Sequence, residues 1–121
     1  MITEDLKSLD DLGVYDYLVN NLDNLAEEDV VKIVDRLAST DLNGQWLTSV
    51  ARYLTATDRL RFKTDIDRLV TLVIERDREH RYLRDLIVAI YGDDYAEHIE
   101  EYNSDDNFRR IYKRLHPAGV I

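Results

Sequence analysis

At 121 residues, with 25 Asp and Glu against 16 Lys and Arg, a formal net charge of −9 and no cysteine, the chain has the size of one domain with a real core. It can form neither disulfides nor thiolate sites. Hydrophobic residues make up 45% and charged residues 34%, the balance of a folded soluble chain. The longest apolar run, LIVAIY at 86–91, is about a third of the ~20 residues a membrane helix needs, and no basic-then-apolar leader opens the sequence. The expectation is a single helical domain over residues 1–121, in the cytoplasm.

One proline and four glycines are spread over the whole chain, which leaves long stretches uninterrupted for helix. Apolar residues recur at three and four: Val30, Ile33, Val34 and Leu37, then Ile66, Leu69, Val70 and Val73. No stretch alternates at period two. The spacing predicts helices near 11–22, 26–38, 45–55, 58–76, 79–91, 94–103 and 105–115. Asn43-Gly44 closes one connection, Thr57 stands as an N-cap before Asp58, Gly92 as a helix-ending glycine, and Ser104 as a cap before Asp105 and Asp106. The second half of 79–91 is apolar all round, as in a helix packed on several sides. The fold class is all-α, with six to seven short helices as stacked antiparallel hairpins, either a compact bundle or a short solenoid-like array.

A shift of 36 residues lays Val30, Ile33, Val34, Leu37, Trp46, Leu47, Val50, Ala51 and Leu54 on Ile66, Leu69, Val70, Val73, Tyr82, Leu83, Leu86, Ile87 and Ile90. Every pair is apolar or aromatic; amphipathic helices agree with one another under many shifts, and the informative part is that the gap between the two helices is also kept, as it would be in a duplicated hairpin. The single tryptophan, Trp46, thus shares its place with Tyr82. An aromatic at the same structural point twice is better explained by packing than by recognition, so Trp46 is expected in the core.

Catalytic motifs are missing: there is no glycine-rich phosphate loop, GxSxG elbow or HExxH pair. Asp94, His98 and Glu101 can share a helical face and offer a metal two carboxylates and an imidazole, and Asp77 and His80 stand three apart. Both sets lie in heavily charged, solvent-like surroundings, so no metal, no cofactor and no enzymatic activity are expected.

Charge is distributed in blocks. Residues 1–50 carry a net −8, 51–91 a net +2, 92–107 a net −7 with no base, and 108–121 a net +4 with no acid. Negative surfaces repel nucleic-acid phosphates and anionic lipid heads, so neither nucleic acid nor membrane is an expected partner. The interleaved arginines of 76–84 read as a salt-bridged solvated face. In GDDYAEHIEEYNSDD, residues 92–106, Tyr95, Ile99 and Tyr102 align as a stripe among carboxylates. Tyrosines among acids suit a surface that meets Lys and Arg groups. Asp93, Asp94, Tyr95, Glu97, Glu100, Glu101 and Tyr102 are the expected partner-binding residues, although the stripe can equally dock its helix onto the bundle. The function expected is a small non-enzymatic protein-binding module, such as an inhibitor, immunity protein or phage-type antagonist that covers a basic surface. The alternative is a self-associating scaffold, for example a homodimer, and a third reading is a metal-dependent helical enzyme.

Overall fold

The computed structural model describes residues 6–117. Seven α-helices are found among them: α1 Asp11–Asn21, α2 Glu27–Thr40, α3 Gln45–Asp58, α4 Lys63–Arg76, α5 Arg81–Tyr91, α6 Ile99–Tyr102 and α7 Asp106–Leu115. Two 3₁₀ turns, Leu22–Asn24 and Tyr95–Glu97, join them. No strand occurs among the described residues.

The helices pack as two rows. α3 lies between α1 and α5 in one row, while α4 lies between α2 and α7 in the other; α3 packs on α4 across the rows. Each antiparallel pair therefore rests on the next, as the sequence pattern predicts for stacked hairpins. A single core runs between the rows, from Leu6 and Val14 to Phe108 and Ile111, and each fully buried Leu or Ile in it contributes about 1.5–3 kcal/mol.

The 36-residue register holds in three dimensions. Shifted by 36, the bounds of α2 coincide with those of α4, and the start of α3 coincides with that of α5. Apart from Trp46 and Tyr82, every residue of the nine pairs is buried. The connections repeat as well. Asp41 ends α2 and donates its N–H to the Leu37 carbonyl at 2.7 Å; Asp77, 36 positions on, ends α4 and donates to Val73 at 2.8 Å. The Asp41 carboxylate accepts the N–H of Leu47 at 2.8 Å, and that of Asp77 accepts the N–H groups of Arg81, Tyr82 and Leu83 at 2.7–3.0 Å. Both aspartates are 3% exposed. They satisfy amide hydrogens that the start of a helix leaves unpaired, and a carboxylate complements the positive end of the helix dipole. Arg76 Nη1 then donates to the Asp41 carbonyl at 2.9 Å, tying one connection to the next.

At three places the chain departs from the pattern-based expectation. The helix expected at 58–76 is divided: α3 runs to Asp58, residues 59–62 turn, and α4 begins at Lys63. The turn delivers Phe62 to the core at 2% exposure, while Asp58 caps it by accepting the N–H of Arg61. Thr57 is accordingly no cap; it lies within α3 and its hydroxyl donates to the Tyr53 carbonyl. The helix expected at 94–103 is broken at His98, as described below, and Asp105 rather than Ser104 caps α7, accepting the N–H of Phe108 at 3.2 Å. Finally, α5 is open on one side, with Val88 40% exposed and Ala89 exposed. The central helices are α3, which touches α1, α2, α4 and α5, and α4, which touches α2, α3, α5 and α7. Gly92 does end α5, with φ 94°, an angle open to glycine at little cost.

His80 holds φ 58°, the positive φ found outside glycine among the described residues, where the first hairpin has Gly44 at φ 88°. A side chain in this region is disfavoured by about 1–2 kcal/mol, partly offset by the freedom glycine adds to the unfolded chain. His80→Gly is therefore expected to stabilise the fold by about 0.5–1 kcal/mol in urea unfolding. Asp77→Ala, which strands three amide hydrogens, is expected to lose about 2–3 kcal/mol, and Asp41→Ala about 1–2 kcal/mol. Equal stability of native protein and Asp77→Ala would remove the carboxylate from its capping role.

Candidate functional site: an acidic cap on an aromatic cluster

Residues 92–106 cross the end of the stack between α5 and α7. Five carboxylates between 93 and 101 have no Lys or Arg among them, so a continuous helix there gains no opposite-charge pair with Lys or Arg along its face. The segment instead forms the 3₁₀ turn Tyr95–Glu97, an irregular His98, and the single turn of α6. This broken path aims its apolar side chains at one point. Phe108, 1% exposed, is ringed by tyrosines, with centroid distances of 5.0 Å to Tyr91, 5.4 Å to Tyr102, 5.5 Å to Tyr112 and 6.2 Å to Tyr95. Such edge-on, tilted and stacked pairs stabilise beyond the area they bury.

Hydrogen bonds fasten the cap. Tyr102 donates its hydroxyl to the Tyr91 carbonyl at 3.2 Å, and Tyr91 donates its own to Asp105 Oδ1 at 3.0 Å. Burial, then the negative charge of Asp105 and the hydrogen bond to it, hold the Tyr91 phenol far above its ordinary range. It remains a donor at any physiological pH.

Among the residues expected to bind a partner, the structure makes a division. Asp93, Asp94, Glu97, Glu100 and Glu101 are exposed, whereas Tyr95 and Tyr102 are half-buried with Ile99 against the core. The stripe docks the segment; the carboxylates form its outer surface. His98 sits within that surface, with Nε2 3.2 Å from Asp94 Oδ2 and Nδ1 3.2 Å from Glu101 Oε2.

Asp94, Glu97 and His98 can each bring one ligand atom to within 4.8 Å of the others. These groups are open to solvent or nearly so, and both imidazole nitrogens of His98 already face a carboxylate, so a cation would have to displace an existing pair. The second set drawn from the sequence, Asp77 and His80, is ruled out by geometry: the Asp77 carboxylate is committed to the amides of α5.

Trp46 is half-buried rather than enclosed. Its ring centroid lies 5.8 Å from that of Tyr15, which in turn meets Tyr53 edge-on at 6.4 Å. It packs against the core from the outer face of the α1–α3 row. Sequence spacing located the aromatic register correctly but could not tell a core position from its rim. No protein-family model, curated protein or solved structure matches the chain, and no helix among the described residues is long and apolar enough to cross a membrane.

A rim position sets an intermediate expectation for Trp46. Trp46→Ala should destabilise by about 1.5–2.5 kcal/mol, below the ~3–5 kcal/mol of a fully enclosed aromatic. Native fluorescence should lie between the buried and water-exposed limits and shift red in urea. Emission already at the exposed limit would contradict the packing on Tyr15.

Proposed function

We propose that this chain is a small, non-enzymatic protein-binding module of the cytoplasm whose acidic cap covers a basic surface on another protein. One observation carries the reading: five exposed carboxylates, Asp93, Asp94, Glu97, Glu100 and Glu101, project from a backbone that an aromatic cluster holds in place. Like charges held together repel, and a cationic surface relieves that repulsion. Because the cap is fixed before contact, little conformational entropy is lost when it docks. Carboxylates so arranged can occupy the place of phosphates on a cationic surface, which suits an inhibitor or antagonist. Tyr95 and Tyr102 contribute as supports rather than as primary contacts.

A second reading, self-association as a scaffold, has its own support. Tyr15, Tyr53, Ala56 and Ala89, together with Ser49 and Arg52, line one shallow depression across the α1–α3–α5 row, with Trp46 against Tyr15. Half-exposed aromatics of this kind are common anchors at interfaces.

The test is a pull-down from native lysate at low and moderate salt, followed by binding measurements with the recovered protein. Steering by the cap predicts an on-rate and affinity that fall as the Debye length shrinks to about 8–10 Å. Replacing Asp93, Asp94, Glu97, Glu100 and Glu101 by their amides should weaken binding by about tenfold or more and leave the circular dichroism unchanged. The control replaces five exposed acids elsewhere, Asp16, Asp23, Glu27, Glu28 and Asp85, with the same change in net charge. Equal losses in the two variants would reduce the effect to net charge. Recovery of this chain alone, with concentration-dependent sedimentation that Trp46→Ala abolishes, would favour the scaffold.

A further inference from the structure

The two basic blocks of the sequence, separated by the acidic one, meet in space. Arg78 and His80 from the α4–α5 connection and Arg110, Lys113 and Arg114 from α7 line one groove of about 970 Å³. A single carboxylate, Glu75, stands among them. In a chain with nine more acids than Lys and Arg, four permanent cations gathered against one acid are a local reversal of sign.

Three of these cations are free to take a ligand. Among the described residues, no carboxylate lies within 4.0 Å of the side-chain nitrogens of Arg78, Lys113 or Arg114, while Arg36, Lys63, Arg68, Arg81, Arg109 and Arg110 each have one. Arg110 plays another part. Its Nη1 donates to Thr71 Oγ1 at 2.7 Å and its Nη2 to Asn107 Oδ1, so it fixes the α7 wall against α4 and adds charge. Arg114 Nη2 donates to the Ile74 carbonyl at 3.3 Å, and its other donors have no hydrogen-bond partner among the described residues.

The duplicated hairpin supplies an internal comparison. In both copies the connection keeps its buried aspartate, Asp41 or Asp77. The groove's lip differs: Leu42 and Gly44 in the first copy stand where Arg78 and His80 stand in the second. His80 retains the left-handed backbone that Gly44 adopts freely. A side chain held in that region against its preference is a sign that the side chain itself is wanted there.

We infer that the groove between α4 and α7 is a binding site for a compact polyanion, a small molecule with two or more phosphate or carboxylate groups. Arg78 and Arg114 offer guanidinium forks that suit either group, and Lys113 adds a mobile point charge. Ile74 and Pro117 give the groove apolar wall for the ligand's uncharged part. Compactness follows from the surroundings: Glu79 and Asp106 flank the groove's elements and the acidic cap lies beyond α7, so a long phosphate backbone leaving the groove meets negative surface. The site is independent of the cap and of its proposed partner.

Calorimetry on the full chain at low salt tests this, with inorganic tripolyphosphate and citrate as probes. One equivalent of at least one probe should bind, and the stronger of the two assigns phosphate or carboxylate as the group recognised. The triple variant Arg78→Gln, Lys113→Gln, Arg114→Gln should lose about tenfold or more in affinity. A control triple, Lys32→Gln, Arg52→Gln, Arg84→Gln, removes three exposed cations without an ion pair elsewhere and should bind within about twofold of native. His80→Gly should bind more weakly while melting higher, a combination that a purely structural role does not produce. No saturation at millimolar probe, or equal losses in the two triples, would overturn the site. A short single-stranded oligonucleotide that binds more tightly than either probe would overturn its compactness. Self-association abolished by the groove triple would instead name the acidic cap of a second copy as the occupant.

Discussion

A buried carboxylate in each of the two repeated connections, α2–α3 and α4–α5, is the constraint on which this fold rests. Asp41 and Asp77 each end one helix and cap the next, so direction changes at a fixed residue and by a fixed geometry. Without such a group, the amide hydrogens at the start of α3 and α5 would be buried unpaired beside the core, at about 1–3 kcal/mol for each donor. With it, the α2–α3 and α4–α5 hairpins turn alike, and the bond from Arg76 to the Asp41 carbonyl couples the two connections. The core pairs of the 36-residue register are buried in both copies because the caps place both helices alike.

The relation of sequence to structure follows from which forces are periodic. Apolar spacing of three and four identified α2, α3, α4 and α5, their stacking as antiparallel hairpins and the register of the repeat, because burial of a stripe dominates the placement of an amphipathic helix. It missed Asp41 and Asp77, although they too stand 36 apart: attention to apolar pairs passes over a polar residue whose buried role depends on donors up to six positions away. It also missed the turn at 59–62. There the chain bends without glycine or proline, driven by the burial of Phe62. The acidic segment was read as a helix because its tyrosines have helical spacing, yet the contacts of Tyr95 and Tyr102 with Phe108 and the absence of any Lys or Arg partner break it at His98.

Long-range juxtaposition was the least legible feature. The sequence shows basic blocks at 51–91 and 108–121, and only the packing of α7 onto α4 shows that part of each contributes to the same groove. Within 76–84 the interleaved reading holds in part: Arg81 pairs with Glu79 at 3.6 Å, and Arg76 is tied to the Asp41 carbonyl. Arg78 borders Arg76, Glu79 and Arg81 on one side and the α7 groove on the other, with no ion pair among the described residues. A composition-based account of this stretch averages residues that the fold assigns to different surfaces.

α7 keeps those surfaces apart. One of its sides supplies Phe108 and Tyr112 to the cluster beneath the acidic cap; another supplies Arg110, Lys113 and Arg114 to the basic groove. Asp106 and Arg109 neutralise each other at its start, 3.0 Å apart, and Arg109 also holds the Asn103 carbonyl at 2.7 Å, anchoring the end of the cap. The placement of Asp106 at the first turn and of Lys113 and Arg114 at the last also follows the helix dipole. The same ten-residue helix thus gains stability from its charge asymmetry and sets two fields of opposite sign within a helix diameter of about 10–12 Å. At that separation, comparable to the Debye length in physiological salt of about 8 Å, an approaching charged group senses the nearer patch before the molecule's net charge. Two surfaces of opposite electrostatic sign can therefore coexist on a chain whose overall charge is −9.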